Sequence, residues 1–409
     1  MPNKKNILFI SPRYSLPFIG GDRLKQYYLI KYLSEKYNLT LITFYQGKET
    51  DLDKLKNPFE EMGAKVHIIK LNPFKQAIEV LKGMFSYKPV EISYYFSKEF
   101  ENILGKELKI TNYDISFSFF MRAGNYFTQK SINDIIQNTN PNLKNILIAE
   151  DCRRIYMDRS YKSSKNIIQK IVRFWEAKTL KLYEPNILKY FDVTTLVSDA
   201  DIENMQKDTN YSNFKLLTNG TDLQKFFPDS YEIRQDLIFV GKLDVYANEL
   251  MVRKIVEDIM PMIISKLPNV KLNIVGKNPN NYIKSLQSKN VILYEDVKDV
   301  NEYLQRSLIF IHPHYSGSGI QNKLIEAMAS GTLVVTTPIG NQGINGIDGE
   351  NLFLVNNDQE MVNKCLEIIS NKEKYQNVSE NAVNHIRENL SWERVYKDLE
   401  VIISGLKLV

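Results

Sequence analysis

The chain has 409 residues and a formal net charge of +5; 43% of its residues are hydrophobic and 25% are charged. This length favours two domains of roughly 200 residues each, and the charge is too small to indicate nucleic-acid binding. The two cysteines, Cys152 and Cys365, are too few for a disulfide framework or a cysteine-based zinc site. Because no run of about 18 apolar residues occurs, we expect no membrane-spanning helix.

The first half of the chain alternates short apolar runs with patterns of helical spacing. The apolar runs predict buried parallel strands at residues 6–10, 39–44, 66–69, 115–118, 146–149 and 193–197. After the first strand come Gly20 and Gly21, and Asp22 can then cap a helix to about Lys36. A strand, a glycine loop and a helix in this order form either a phosphate site or a turn without a ligand.

Two pairs of aspartates stand where helices are predicted to begin. They are Asp51 with Asp53, and Asp199 with Asp201. The positive end of the helix dipole stabilises acidic residues at such places. We therefore predict helix capping, and no metal site, for both pairs.

Two helical patterns combine apolar and basic residues. The first has Phe74, Ile78, Leu81 and Phe85 on one side, and the second, within residues 153–190, carries ten Lys or Arg and three Asp or Glu. Contact with a membrane surface is one interpretation. In the alternative interpretation, which we favour, the apolar stripe at residues 74–85 packs in the core, and the basic pattern at residues 153–190 is a solvated helix face.

Charged residues follow two of the buried strands, where parallel sheets bind their ligands. Arg122 follows the strand at 115–118, and Asp151 and Arg153 follow the strand at 146–149. Asp151 is a candidate proton acceptor or orienting group. Helix capping by Asp151 and plain surface charge for the arginines remain open alternatives.

The second half repeats the alternation, with strands predicted at residues 237–240, 272–275, 291–294, 308–311 and 333–335. In the best-defined unit, a glycine loop at 315–319 leads from a strand into a helix at 321–330, which Gly331 ends. The free N–H groups at that helix start favour an anion. Glu326 could accept hydrogen bonds from ribose hydroxyls, so this unit predicts a nucleoside-diphosphate site.

The same stretch resembles a known motif. Gly-Ile-Gln-Asn-Lys at residues 319–323 and Glu-Ala-Met-Ala-Ser-Gly at residues 326–331 resemble the donor motif of family-4 glycosyltransferases that build polysaccharides. Asn219-Gly220, with Asp222 and Phe226 behind it, resembles the family's interdomain element. The resemblance implies the α/β fold called GT-B, two Rossmann-like doubly wound domains facing across a cleft. We expect domains at 1–228 and 229–390, with a final helix at 391–409 crossing back to the first.

The resemblance also implies roles for individual residues. Lys242 stands where the family has an arginine on the diphosphate, Ala247 and Asn248 occupy the place of its second cation, and Ser318 replaces a frequent glutamate. The expected catalytic residues are Asp151, Lys242 and Ser318, and the acceptor-side residues are Arg122, Asp151 and Arg153. The expected donor-binding residues are Gly20, Gly21, Lys242, Val297, Gly317, Ser318, Gly319, Ile320, Gln321, Asn322, Lys323 and Glu326.

These features lead us to expect a hexosyl- or N-acetylhexosaminyl-type glycosyltransferase. It would transfer a sugar from a nucleoside-diphosphate donor such as a UDP-sugar to a polysaccharide or lipid-linked glycan. The resemblance implies retention of configuration, no metal and no further cofactor. We expect a cytoplasmic protein, in one interpretation at the inner face of the membrane. A non-catalytic nucleotide-sugar-binding subunit is the main alternative, and an epimerase is a weaker one.

Overall fold

A computed structural model describes the protein at residues 4–17, 21–49, 51–163, 166–315 and 320–406. The chain divides into two compact units. The first ends at Leu217 and also includes the segment from Tyr396 onward, and the second runs from Thr218 to Val395. The segment after Leu217 belongs to the second unit because it pairs there, through a bridge between Thr221 and Ser391.

The first unit is an α/β sheet with helices on its connections. Its strands are β1 (Asn6–Ser11), β2 (Asn38–Tyr45), β3 (Lys65–Lys70), β4 (Ile115–Phe119), β5 (Lys144–Glu150), β6 (Val193–Leu196) and β7 (Phe214–Leu216). Its helices are α1 (Gly21–Lys36), α2 (Leu52–Glu60), α3 (Pro73–Phe85), α4 (Val90–Tyr94), α5 (Lys98–Ile110), α6 (Phe120–Gly124), α7 (Lys130–Thr139), α8 (Arg153–Ser163), α9 (Ile167–Ile187) and α10 (Asp199–Gln206).

The second unit has the same construction. Its strands are β8 (Gln235–Lys242), β9 (Leu272–Lys277), β10 (Val291–Glu295), β11 (Ser307–His312), β12 (Leu333–Thr336) and β13 (Phe353–Leu354). Its helices are α11 (Tyr246–Lys254), α12 (Met260–Ile264), α13 (Asn281–Ser285), α14 (Asn301–Arg306), α15 (Asn322–Ala329), α16 (Asp358–Ser370) and α17 (Gln376–Asn389). Helix α18 (Trp392–Gly405) follows and continues past the unit boundary.

Both sheets reverse their strand order once. Within the described residues, the orders are β3-β2-β1-β4-β5-β6-β7 and β10-β9-β8-β11-β12-β13, with parallel pairing throughout. The reversal lies between β1 and β4 in the first sheet and between β8 and β11 in the second. Doubly wound sheets bind ligands at the carboxyl ends of such strand pairs, so these two places are where ligand-binding residues are expected.

The predicted α/β class and its strands are confirmed as two parallel, Rossmann-like sheets. Strands β7 and β13 were not predicted because they are only three and two residues long, too short for a periodic signal. The helix-capping prediction is confirmed for Asp51, which accepts a hydrogen bond from the backbone N–H of Asp53. At the second pair the cap is Ser198, and Asp199 and Asp201 lie in the first turn of the helix.

The apolar stripe of α3 lies on the surface, so the prediction of core packing is wrong. Phe74 is 85% exposed and Phe85 is 93% exposed. The helix instead buries the side that carries Gln76 and Gly83. In the described part of the chain, no helix combines the length and the apolar character needed to cross a membrane.

A buried arginine joins the first strand of the second unit to the end of α15. Arg234 is 1% exposed, and its guanidinium donates to the carbonyl oxygens of Leu304, Ser307 and Ser330. Burial lowers the pKa of Arg234 to about 10, so the group is still charged at neutral pH. The hydrogen bonds from the guanidinium pair these buried carbonyl oxygens.

Replacing Arg234 by leucine should destabilise the second unit by roughly 3 kcal/mol, because the carbonyls of Ser307 and Ser330 lose a charged donor. The Leu304 carbonyl keeps the hydroxyl of Thr332 as a donor. The urea midpoint of the purified variant measures this loss. Arg253→Leu, which removes an exposed arginine paired with Glu257, is the matched control and should leave the midpoint unchanged. Equal midpoints for the two variants would contradict the structural role of Arg234.

Candidate functional site

In the second unit, the ends of β8 and β11 lie beside the start of α15. Lys242 is the last residue of β8, and its side chain is exposed. Its Nζ lies 3.4 Å from a carboxylate oxygen of Asp244. Gln321 directly precedes α15, and Ile320 packs against the core. The predicted site residues Gly317, Ser318 and Gly319 lie outside the described residues, as does Gly20.

A hydrogen-bonded link joins α15 to the end of β8. The Nζ of Lys323 donates to Oδ1 of Asn248, whose Nδ2 donates to the carbonyl oxygen of Lys242 at 2.8 Å. The Lys323 ammonium also lies 5.2 Å from the centre of the Phe239 ring. Asn248, on α11, occupies the place of the expected second cation. Its amide oxygen accepts a hydrogen bond from the ammonium of Lys323, which lies on α15.

Lys323 and Glu326 are one turn apart on α15, and burial shifts both toward their neutral forms. Burial raises the pKa of Glu326 to about 7, against the opposing effects of Lys225 and Lys323. Burial lowers the pKa of Lys323 to about 8, and Glu326 opposes that shift. Groups that titrate near neutral pH at the end of a parallel sheet are typical of a binding site for a charged ligand.

The Asn-Gly segment lies against the first turn of α15. The Nδ2 of Asn219 donates to Oδ1 of Asn322 at 2.8 Å. Among the residues that the structure describes, the Oδ1 of Asn219 and the hydroxyl of Thr218 are buried without a hydrogen-bond partner. Buried polar atoms are nearly always paired, so these two atoms can accept a further hydrogen-bonding partner.

Two buried histidines lie at the end of β11. The Nδ1 of His312 is 3.0 Å from Oγ1 of Thr336, and its ring stacks on that of His314 at 5.1 Å. Burial, assisted by Lys323, lowers the pKa of His314 to about 4 and that of His312 well below its usual value, so both rings are neutral. Within residues 4–17, 21–49, 51–163, 166–315 and 320–406, no group of three His, Cys, Asp or Glu side chains could hold a metal ion.

Two predicted donor-binding residues make none of the contacts described above. Val297 follows the edge strand β10, which is two strands from β8 in the sheet. Gly21 is the first residue of α1 in the first unit. The contacts described above therefore gather Lys242, Asn322 and Lys323 but do not include these two positions.

In the first unit, arginines gather at the carboxyl ends of the central strands. Arg122, in the short helix α6 that follows β4, stacks its guanidinium on the rings of Phe120 at 4.2 Å and Tyr95 at 5.1 Å. The Nε of Arg153 lies 3.0 Å from a carboxylate oxygen of Glu91, and Arg122 lies 3.9 Å from the same oxygen. The structure thus brings together two residues that the sequence placed after different strands.

Arg13, from the loop after β1, completes an arginine group with Arg122 and Arg153. Its Nε donates to the Tyr95 hydroxyl at 3.1 Å, and it pairs with Asp22 at 3.3 Å. Burial lowers the pKa of Arg122, and repulsion from Arg13 and Arg153 adds to this shift. The Nε of Arg122 is buried and unpaired among the described residues. An anion would relieve the repulsion and use this donor.

Asp151 lies within electrostatic reach of the arginine group. Burial raises the pKa of Asp151 to about 6, although Arg153 acts to lower it. A carboxyl with this pKa is mostly ionised at neutral pH and can accept a proton from a hydroxyl. Its neighbour Asp201 accepts the backbone N–H of Cys152 at 3.0 Å, which fixes the turn after β5.

Sequence reasoning missed a buried ion pair behind α1. Lys25 is 1% exposed, and its Nζ lies 2.6 Å from Oε1 of Glu150 and donates to the carbonyl oxygen of Leu217 at 2.7 Å. The one available signal was that Lys25 stands four residues before the core residue Leu29, on the apolar side of the helix. Arg13, Glu91 and Tyr95 carried no such signal.

Replacing Asp151 by asparagine should stabilise the protein by about 1–2 kcal/mol at pH 7–8. The folded state raises this pKa from 3.8 to about 6, so the carboxyl contributes stability below about pH 4 and loses it as pH rises through 6. The gain of the variant should therefore shrink as pH falls from 6 to 4. Urea unfolding across this range measures the effect, with the exposed-site variant Asp134→Asn as control. An Asp151→Asn variant that is less stable than wild type at pH 8 would refute the buried-carboxyl description.

Comparisons with known proteins show what this chain is similar to. Residues 234–371, all in the second unit, match the family model described as Glycosyl transferases group 1. A Methanocaldococcus jannaschii protein described as an uncharacterized glycosyltransferase is 23% identical over 98% of this chain and 99% of its own. A Klebsiella pneumoniae protein described as lying in a cps region is 23% identical over 65% of this chain and 70% of its own.

The fold is matched over both units by a solved structure. The crystal structure of HepE from Anabaena with UDP and glucose superposes with a TM-score of 0.64 at 14% identity, covering 98% of this chain and all of that one. The chain therefore has the GT-B fold, two Rossmann-like parallel sheets. The fold, the matched domain and the full-length relative together support glycosyl transfer as the general activity.

Proposed function

We propose that this protein transfers a hexosyl or N-acetylhexosaminyl group from a nucleoside-diphosphate sugar, such as a UDP-sugar, to a polysaccharide or lipid-linked glycan. The observation that carries the proposal is the link from Lys323 through Asn248 to Lys242 at the strand ends of the second sheet. This link places Lys242 and Lys323 beside the start of α15, an arrangement that favours an anion such as a diphosphate. The HepE structure with UDP and the relative from a cps region support the donor and acceptor classes.

On the donor side, the diphosphate would bind the lysines and the N–H groups at the start of α15. Lys323 and Lys242 would stabilise the negative charge that develops on the leaving diphosphate, which is electrostatic transition-state stabilisation. Glu326 would accept the ribose hydroxyls. We propose retention of configuration with no metal and no cofactor beyond the sugar nucleotide, as in the family that the motif resembles.

On the acceptor side, the hydroxyl would attack from the face of the sugar that the diphosphate leaves, as retention requires. Asp151 would orient this hydroxyl or accept its proton, and Arg122 and Arg153 would orient the acceptor. The raised pKa of Asp151 makes it a stronger base than an ordinary aspartate, and it is still ionised at pH 7. Two departures from the family pattern, Ser318 and Asn248, are the reasons to consider a non-catalytic subunit. The contact of Lys323 with Asn248 supplies a cation at the second of these places and favours the enzyme.

A thermal-shift screen of nucleoside-diphosphate sugars tests the donor class. The cognate donor should raise the melting temperature by mass action, and Lys323→Met should weaken donor binding at least about tenfold through loss of a charged contact. Because the pKa of Lys323 is lowered to about 8, donor affinity of the wild type should fall above that pH, and the variant should lose this dependence.

Lys266→Met removes an exposed lysine of the same unit and should keep the donor shift. If none of the nucleotide sugars shifts the wild type, or if Lys323→Met binds the donor normally, the assignment of the donor site fails. Transfer by purified wild-type protein, followed by mass spectrometry of the product, separates an enzyme from a binding subunit.

Glu326→Ala should raise the donor KM about tenfold or more with a smaller change in kcat, because the ribose contacts are equally present in ground and transition states. Initial rates at varied donor concentration measure both constants. Glu302→Ala, at an acidic residue in the first turn of α14, is the control. An unchanged donor KM in Glu326→Ala would reject the ribose role.

A further inference from the structure

Two helices of the first unit expose large apolar side chains in rows. On α3 the row is Phe74, Ile78, Leu81 and Phe85, all exposed. On α9 the row is Ile167, Ile168 and Ile171, which are 67%, 70% and 62% exposed, followed by Val172. We call these eight residues the apolar face. Contiguous exposed apolar surface of this kind marks an interaction site.

The two rows belong to segments that are held together. The ring of Tyr87, just after α3, lies 4.9 Å from that of Trp175 on α9. The carboxylate of Glu176 accepts the backbone N–H groups of Val90 and Glu91 at 2.6 and 2.7 Å. The middle of α9 is thus bound to the chain that follows α3, which keeps the helices that carry the two rows close to each other.

Basic residues accompany the apolar face on α3, α8 and α9 and in the segment that follows α3. They are Lys75, Lys82, Lys88, Lys162, Lys170, Arg173, Lys178 and Lys181. The acidic residues nearby are already engaged: Glu79 pairs with Lys82 at 2.6 Å, Asp158 pairs with Lys162 at 2.7 Å, and Glu176 is buried. The surroundings of the apolar face therefore carry a net positive charge.

We propose that the apolar face docks on the surface of an anionic phospholipid bilayer. The Phe, Ile, Leu and Val side chains enter the boundary between headgroups and acyl chains, and the lysines contact lipid phosphates. A bilayer offers both an apolar layer and negative charge. A second copy of this chain would bring like-charged lysines together, so charge complementarity favours the lipid.

Co-sedimentation with phospholipid vesicles tests this proposal without any sugar nucleotide. Wild-type protein should bind vesicles that contain phosphatidylglycerol, bind pure phosphatidylcholine vesicles more weakly, and dissociate in high salt. The double variants Phe74→Ser with Phe85→Ser, and Ile167→Ser with Ile171→Ser, should each lower the partition coefficient at least about tenfold. These side chains are exposed, so folding should persist.

The matched control is Phe227→Ser with Ile347→Ser, which removes two exposed apolar side chains from the second unit and should bind vesicles normally. A wild type that stays in solution with anionic vesicles, or a control that loses binding as the test variants do, overturns the proposal. Light scattering that detects a dimer abolished by the test variants also overturns it, because the occupant is then a second copy. A donor thermal shift on the same samples reports separately on the donor site.

Discussion

The burial of a lysine ammonium against a neutral amide is the constraint on which the second unit's site depends. Lys323 is held by the Oδ1 of Asn248 and lies over the Phe239 ring. Neither partner neutralises its charge, and burial lowers its pKa to about 8. Glu326, one turn along α15, opposes this shift only in part. Removing charge from water is costly, and a diphosphate would supply further negative charge. The sheet holds this arrangement in place because Asn248 also bonds the end of β8.

The first unit shows the difference between a structural ion pair and a ligand site. Lys25 and Glu150 are both buried, and they neutralise each other at 2.6 Å, so this pair has no charge left for a ligand. The arginine group is different, because its guanidinium groups repel one another and a buried donor of Arg122 is unpaired within the described chain. Charge of one sign that the protein leaves incompletely paired is the physical mark of an anion site.

The apolar face extends the same argument from charge to hydrophobicity. A helix that leaves Phe74 and Phe85 in water forgoes the free energy that their burial would contribute. The proposed docking on a phospholipid bilayer would explain this exposure, because the bilayer would bury these side chains. A lipid-linked acceptor would meet the protein at that surface, so the proposed lipid contact and the proposed acceptor class are consistent with each other.

The sequence by itself determined most of the strands, the helix that carries Lys323 and Glu326, and the helix starts at which the acidic pairs stand. These depend on local periodicity and on chemistry within a few residues, which one chain displays directly. Burial and pairing across the chain were decided only by the tertiary structure. In the sequence, Asn248 stands where a cation is expected, and only the structure shows that Lys323 of α15 supplies the cation there. Arg13, Glu91 and Arg122 are far apart in sequence, yet they lie in one cluster. Periodicity marked one side of α3 as apolar, but whether that side faces the core or water depends on what packs against it.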